Sequence, residues 1–389
     1  MNLFIYLKII ETMKKNILNR PFPHLRFILK NLFSLKEVEQ DLFFFQTGRE
    51  AFIYGLNKIG IEKGSKILLP AFMCDSLSEY IISAGYKVRY VDINMNMSID
   101  LNKIEAIFQE ENIKAFLFVY FFGISLDIKP FLELCNKHNI KIIEDCSHGF
   151  QTKILNSHIG KFGDFTIYSF RKILPTSDGG AIRFNFKIKK YYMNKLRLSF
   201  KNDIVYLISR LFEIFIRNFL NINTYSKSFT NLKKKIRNLL PINTRKIKNL
   251  IKSQNKISFL LAIFLTNKKY LSENLKIRND NFNFLLKELK AIGLNPFINK
   301  IEKSTCPQFF IIKDDHGGLV DWLNYKGIGA IQWPGDELPK EIDNNPMLYP
   351  NSVNLNKMLV FIPIHQDLNK ESFKEMIILL SKWKLKTEN

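Results

Sequence analysis

The chain has 389 residues, long enough for one large or two moderate domains with a sizeable core. Hydrophobic residues make up 46% and charged residues 24%, which suits a soluble globular protein and excludes a disordered or fibrous one. The net charge of +22 is unevenly placed: residues 187–290 hold 24 basic and 5 acidic residues, a surplus of 19, so the rest is close to neutral.

Cys74, Cys135, Cys146 and Cys306 are scattered without CxxC spacing. This argues against a disulfide framework or a zinc site and fits a reducing cytoplasm. The opening stretch MNLFIYLKIIETMKKN lacks a basic leader region and a small-residue cleavage site, so it reads as a start helix. No uninterrupted apolar run is long enough to span a bilayer.

From Phe43 to Asn185 strands and helices alternate. FFFQTGREAFIYGLNKIG begins extended and turns helical at Gly48. SKILLP is a short buried strand, CDSLSEYIISAG a helix ending on Gly85, and KVRYVDI a strand. DLNKIEAIFQE starts on Asp100, a good N-cap. KAFLFVYFFG, IKIIEDCS, GDFTIYSF and GGAIRFN are strands, with DIKPFLELCNKHN a helix before the second of them. This alternation predicts an α/β fold with a mainly parallel sheet.

From Phe186 to about Gln254 glycine disappears and Lys, Asn, Ile and Leu dominate, which predicts a basic, mostly helical insertion. Within it, NDIVYLISRLFEIFIRNFLN has helical periodicity, with Arg210, Glu213 and Arg217 on a polar side. ISFLLAIFLTNKKYLSENLKIRNDNFNFLLKELKAIG reads as one long helix ending near Gly293. The tail alternates PQFFII and MLVFIPI with helical stretches and suits a smaller α+β domain. The expected organisation is an N-terminal arm at 1–42, a large domain at 43–255 and a small domain at 256–389.

Ligands of open α/β sheets sit at the carboxyl ends of the strands. Three stretches carry chemistry there. In FFFQTGREAF a strand turns at Thr47 and Gly48 into a helix, whose exposed amides form an anion site; Thr47-x-x-Glu50 is equally a capping box that needs no ligand. In IKIIEDCSHGF alternation sends Glu144 and Asp145 to opposite faces, so one points inward and calls for a cationic partner such as a protonated ring nitrogen. His148 follows at the same mouth; the plainer reading has Asp145 cap a turn and His148 a satisfied polar group. In YSFRKILPTSDGG, Lys172 just past a strand end can form a Schiff base if its pKa is depressed, or be a solvated cation beside Arg171. Ser169 can donate to a phosphate, and Gly179-Gly180 permits tight turning.

Taken in this order, a phosphate cup, Asp…His and Ser-x-x-Lys, the chain resembles fold-type I enzymes that use pyridoxal 5′-phosphate. TGREAF…LNKIGIEKGSKILLPAF, AGYKVRYVDI, IKIIEDCSHGFQ and GKFGDFTIYSF are similar to the DegT/DnrJ/EryC1/StrS family of nucleotide-sugar aminotransferases, as a divergent branch. The resemblance implies that Lys172 holds the cofactor as an internal aldimine and moves the reaction's proton. It implies that Asp145 keeps the pyridine nitrogen protonated and that His148 lies near the ring's phenolic oxygen. Thr47, Gly48, Arg49 and Ser169 would hold the phosphate, with Cys74 where an aromatic commonly stacks on the ring. Several positions depart from the family pattern. The Ser169–Lys172 spacing is two residues shorter, Arg49 replaces a small hydroxyl residue, and Tyr120 replaces a frequent histidine. The Asn- and Arg-bearing segment by which a neighbouring subunit touches the phosphate has no clear counterpart.

The implied activity is transfer of an amino group from a donor such as glutamate to a keto group of a nucleotide-linked sugar, in polysaccharide biosynthesis, by a cytoplasmic homodimer. Two other readings stay open. One is a different reaction on the same cofactor, a class V-like transaminase or a desulfurase, for which Cys306 is the late candidate thiol. The other is a non-enzymatic protein whose basic 187–290 segment touches an anionic membrane. No nucleic-acid-binding motif accompanies the charge.

Overall fold

In the computed structural model, residues 16–32, 41–124, 126–154, 157–186, 197–219, 224, 256–294, 296–335 and 338–388 are described. Most of the basic insertion, and the start helix, therefore lie outside the described residues. A seven-stranded sheet runs in the order β3-β2-β4-β5-β8-β9-β1, with β1 Phe43–Phe45, β2 Lys66–Pro70, β3 Lys87–Val91, β4 Ile113–Val119, β5 Lys141–Asp145, β8 Phe165–Ser169 and β9 Gly180–Phe184. (Between β5 and β8 lies the small hairpin β6 Lys153–Ile154 and β7 Ser157–His158.) Five strands, β3 to β8, are mutually parallel; β9 runs antiparallel to both β8 and β1. The expected α/β sheet is thus observed, with an antiparallel edge.

This edge aligns the site. Because β9 opposes both its neighbours, β1 runs in the same direction as β5 and β8. The carboxyl ends of β1, β5 and β8 then share one rim with the start of β9, where Gly180 faces Phe45 on one side and Ser169 on the other. Gly180 must be glycine: a Cβ there would sit 2.1 Å from the Thr47 carbonyl carbon and 2.4 Å from the Gly48 nitrogen.

The helices that flank this sheet begin where local chemistry predicts. Helix α1 is Leu25–Asn31 and α2 is Gly48–Lys58; Thr47 Oγ1 caps α2 by accepting from the Glu50 amide at 3.3 Å, and Glu50 in return accepts from the Gln46 amide at 3.1 Å. Helix α3 is Asp75–Ser83 and α4 is Leu101–Glu110, the latter capped by Asp100 as expected. Helix α5 spans Lys129–Lys137. The core between these layers is aromatic: Phe44, Phe45, Phe52, Phe116, Phe118 and Phe165 are all within 1% of full burial, each contributing roughly 2–3 kcal/mol by leaving water.

Two expectations are corrected. Residues 197–199 do not continue a helix but form β10, Arg197–Ser199, paired in parallel with β11, Lys256–Ser258. The long helix is two: α7 Phe259–Thr266 and α8 Lys268–Ala291. Asn267 separates them because its side chain accepts from the Tyr270 amide and donates to Asn31, ending one helix and capping the next.

Helix α6, Lys201–Phe219, inverts its expected polarity. Asp203, Arg210 and Arg217 are buried. Arg210 binds Glu213 and the Arg20 carbonyl, and Arg217 binds Thr224 and the Gly327 carbonyl. The outward face instead carries Ile204, Val205, Ile208, Phe212 and Phe215, each 44–62% exposed. Periodicity located the two faces; carbonyls of Arg20 and Gly327 receive the inward one.

A second core gathers Phe282, Leu285, Phe310, Ile362, Met376 and Leu380 around the antiparallel pair β12 Phe309–Lys313 and β13 Leu359–Pro363, with α9 Leu319–Tyr325, α10 Lys340–Asn344, α11 Pro350–Met358 and α12 Lys370–Glu388 nearby in sequence. Among the described residues no helix is long and apolar enough to cross a membrane.

Candidate active site

Glu144 and Asp145 do point opposite ways at the end of β5. Glu144 is fully buried, but its partners are not cationic. It accepts from Tyr120 Oη at 2.8 Å and from the amides of Gly160, Phe162 and Gly163 at 2.7–3.0 Å, which shapes the turn leading into β8. The expected cationic partner for a buried acid is thus replaced by four neutral donors. Tyr120, at the family's histidine position, is spent on this structural task.

Asp145 is half-buried and looks into the rim. One oxygen accepts from the Ser147 amide at 2.8 Å, so the turn-capping reading is realised. Its charge also acts on Lys172. Lys172 closes the short 3-10 turn Phe170–Lys172 after β8. Burial pulls its pKa below that of a free lysine, and Asp145 opposes this shift. No hydrogen bond holds its amine among the described residues. An amine less favoured as a cation, with no hydrogen bond among the described residues and a carboxylate acting on it, suits a nucleophile.

The loop after Lys172 is clamped from three sides. Phe170 N donates to Gly179 O at 2.9 Å, Ser177 donates to Asp203 of α6, and Asn202 of α6 donates to Asp178. Arg278 of α8, fully buried, donates to the carbonyls of Ile173, Pro307 and Gln308. This arginine ties the Lys172 loop to the second core; its isolated position in a helical pattern gave no sequence signal of that role.

His148 is buried with its ring stacked on Phe122, centroids 5.1 Å apart, and edge-on to Trp333 at 5.2 Å. Phe122 adopts φ 55°, rare for an aromatic residue, and aims its amide at His148 Nδ1 at 3.2 Å. Nδ1 therefore accepts, leaving the proton on Nε2. Burial first, then Lys172, push its pKa well below the ordinary value, so the ring is neutral at pH 7. Trp333 belongs to the wall of the site, whereas His365 and Gln366 are structural, bound to the Leu18 carbonyl and to Tyr270.

The phosphate-cup residues meet at the start of α2. A Cβ on Gly48 would lie 3.2 Å from Tyr168 O, 3.8 Å from Ser147 Oγ and 3.9 Å from Ser169 Cβ, so glycine keeps the helix amides approachable beside two hydroxyls. Arg49 donates to Ser76 O at 3.4 Å and lies over Tyr80. Cys74, the residue before α3, contacts Ser76 Oγ at 3.3 Å and is within electrostatic reach of Lys172 and Arg171. The rim thus brings together Thr47, Gly48, Arg49, Cys74, Asp145, His148, Ser169 and Lys172. An available amine, an acid beside it and a glycine cradle with hydroxyls fit pyridoxal phosphate. Cys306, by contrast, is buried, its amide donates to Thr152, and burial pushes its thiol up to about 11.

Residues 44–201 match the DegT/DnrJ/EryC1/StrS aminotransferase family. The chain is 36% identical over 105 residues to a UDP-4-amino-4,6-dideoxy-N-acetyl-beta-L-altrosamine transaminase of Campylobacter jejuni, covering 26% of this chain and 28% of that protein. It is 24% identical over 138 residues to the GDP-perosamine synthase of Vibrio cholerae, covering 35% and 37%. The matched stretches thus span well under half the length of these curated relatives. Among solved structures, a DegT DnrJ EryC1 StrS aminotransferase from Brucella abortus superposes with a TM-score of 0.62 at 17% identity, covering 98% of this chain and 96% of that one. Helicobacter pylori PseC, an aminotransferase involved in the biosynthesis of pseudoaminic acid, gives 0.62 at 16%, covering 96% and 94%. The fold-type I architecture is therefore shared across nearly the whole chain. The DegT/DnrJ/EryC1/StrS segment contains every residue of the rim described above.

Proposed function

We propose that the protein is a pyridoxal-phosphate-dependent aminotransferase that moves an amino group from an amino acid such as glutamate to a keto group on a nucleotide-linked sugar. The observation that carries this reading is Lys172: an amine disfavoured as a cation, held by no hydrogen bond among the described residues and acted on by Asp145 at the strand rim. When bound, the cofactor supplies an electron sink for a carbanion at the substrate's α-carbon. Lys172 is the base positioned to take and return that proton. Asp145 supplies the negative charge that favours a protonated ring nitrogen, and neutral His148 offers its Nε2 proton to the site. Thr47, Gly48, Arg49 and Ser169 hold the anionic end, with Cys74 against the ring. Cys306 lacks the exposure that a desulfurase thiol needs, which favours transamination. The test is borohydride reduction of the protein after adding pyridoxal phosphate, followed by peptide mapping. A single phosphopyridoxyl adduct on Lys172, and loss of the visible band on adding glutamate, is the expected result. A folded protein that forms no adduct sinks the proposal.

The division into an arm at 1–42, a large domain at 43–255 and a small domain at 256–389 is part of the same reading. It is supported by the second core, whose residues fall after 256 except for Ile17. So are a cytoplasmic location and a homodimer.

For the homodimer the support is the outward apolar face of α6, beside the Lys172 loop. An anionic membrane is the poorer occupant, because on the described part of α6 the arginines point inward and that face offers a single cation, Lys201. A second copy suits a face of this kind. Ile208→Glu with Phe212→Glu is expected to convert a dimer to a monomer by light scattering, and binding of the wild type to anionic vesicles with no change in that monomer–dimer balance would count against it.

A further inference from the structure

A second recess is lined by none of the residues of the Lys172 rim. It has a volume of about 390 Å³ and opens between α1, the end of α7 and the start of α8. Its floor is aromatic. Phe27 of α1 stacks on Phe264 of α7 with ring centroids 5.3 Å apart, and Tyr270 of α8 lies 4.8 Å from each. Tyr270 Oη accepts from Gln366 Nε2 at 2.9 Å, and no acceptor takes its own proton among the described residues. The edge of the recess is basic, formed by His24, Arg26 and Lys30. His24 Nε2 is 3.2 Å from one oxygen of Asp367, and the other oxygen accepts from the Phe22 amide at 2.6 Å, so this acid is already engaged. Arg26 and Lys30 are exposed, and neither has an ion pair or a hydrogen bond among the described residues.

Arg26 and Lys30 are one turn apart on α1, so they stand on one face with about 6 Å between their Cβ atoms. Two free cations beside an apolar surface repel each other and gain from an anion. Their separation suits an extended anion carrying more than one charge better than a single carboxylate, and the fork of Arg26 matches phosphate oxygens. The ring faces of the floor suit a flat base, since stacking of a base on an aromatic side chain is favourable whatever the base. The volume falls in the range of small-molecule sites. We propose that this recess binds a nucleoside diphosphate, with the base against Phe27 and Tyr270 and the phosphates on Arg26 and Lys30. The site uses neither Lys172 nor the cofactor, so it goes beyond the reading of the rim and does not depend on it. The nucleotide is either free or the carrier end of a nucleotide-linked substrate.

The experiment is calorimetric titration of the full chain with UDP, inorganic pyrophosphate and UDP-N-acetylglucosamine, for wild type, Arg26→Gln, Lys30→Gln and the double variant. UDP is expected to bind the wild type about tenfold or more tighter than pyrophosphate, because only UDP brings a base to stack. Each single variant is expected to weaken UDP about fivefold or more, and the double variant more than either. Both side chains are exposed and have no partner to lose among the described residues, so the variants should unfold at the wild-type temperature. UDP-N-acetylglucosamine binding as tightly as UDP, and weakened alike in the double variant, assigns the site to the carrier end of a substrate; a clear preference for UDP assigns it to free nucleotide. Wild-type UDP affinity in the double variant, or equal affinity of the wild type for UDP and pyrophosphate, overturns the proposal. These titrations need no phosphopyridoxyl adduct on Lys172, so failure of the cofactor reading is seen separately.

Discussion

On the proposed reading, Lys172→Ala is expected to lower turnover by about 10³-fold or more, since the variant would lose both the point of covalent attachment and the base that moves the proton. The measurement is amino transfer from glutamate in single-turnover mode, together with the reduced adduct by mass. A variant that keeps its adduct and turnover would remove Lys172 from the chemistry. A second readout separates chemistry from folding. The Lys172 pKa is lower in the folded protein than in the unfolded chain, so the native state binds fewer protons and its charged amine opposes folding. This opposition is complete below the folded pKa and is relieved as pH rises toward the ordinary value of 10.5. Lys172→Met in the apoprotein should therefore raise the melting temperature at pH 7, and the gain should shrink at alkaline pH.

Two adjacent acids, exchanged for alanine, fail in different ways. Glu144→Ala strips the partner from Tyr120 Oη and three amides, all turned to a fully buried carboxylate. The expected cost is about 4 kcal/mol of stability. Asp145→Ala loses one turn-capping bond, about 1 kcal/mol, and leaves the fold intact. Its effect is expected in the site: the amine of Lys172 loses the carboxylate that counters its burial, and cofactor affinity should fall about tenfold or more. Urea titration and cofactor binding on the same two proteins resolve the pair. Equal destabilisation by both would remove the distinction drawn here between a structural and a functional acid.

Much of this protein was legible along the chain, where the signals are local. Alternation in KIIED separated the two acids, Thr47-x-x-Glu50 marked the start of α2, and the spacing of strand and helix gave a mainly parallel sheet. Each depends on neighbours within one element, so periodicity suffices. The same locality allowed the resemblance to be carried by the 43–185 stretch, where strands and their following turns alternate closely.

Other features depend on partners far apart in sequence. The inward acid of the pair was expected to need a cation, but for Glu144 Tyr120 and the turn at 160–163 supplied neutral donors. The charged side of α6 turned inward because Arg20 and Gly327 offer carbonyls there, and one helix alone cannot say which face meets the core. The long C-terminal helix broke at Asn267 because Asn31, in the arm, bonds its side chain. Residue order set the two faces of each element. Which face is buried, and which charges meet, was decided by packing, because burial and electrostatics act through space.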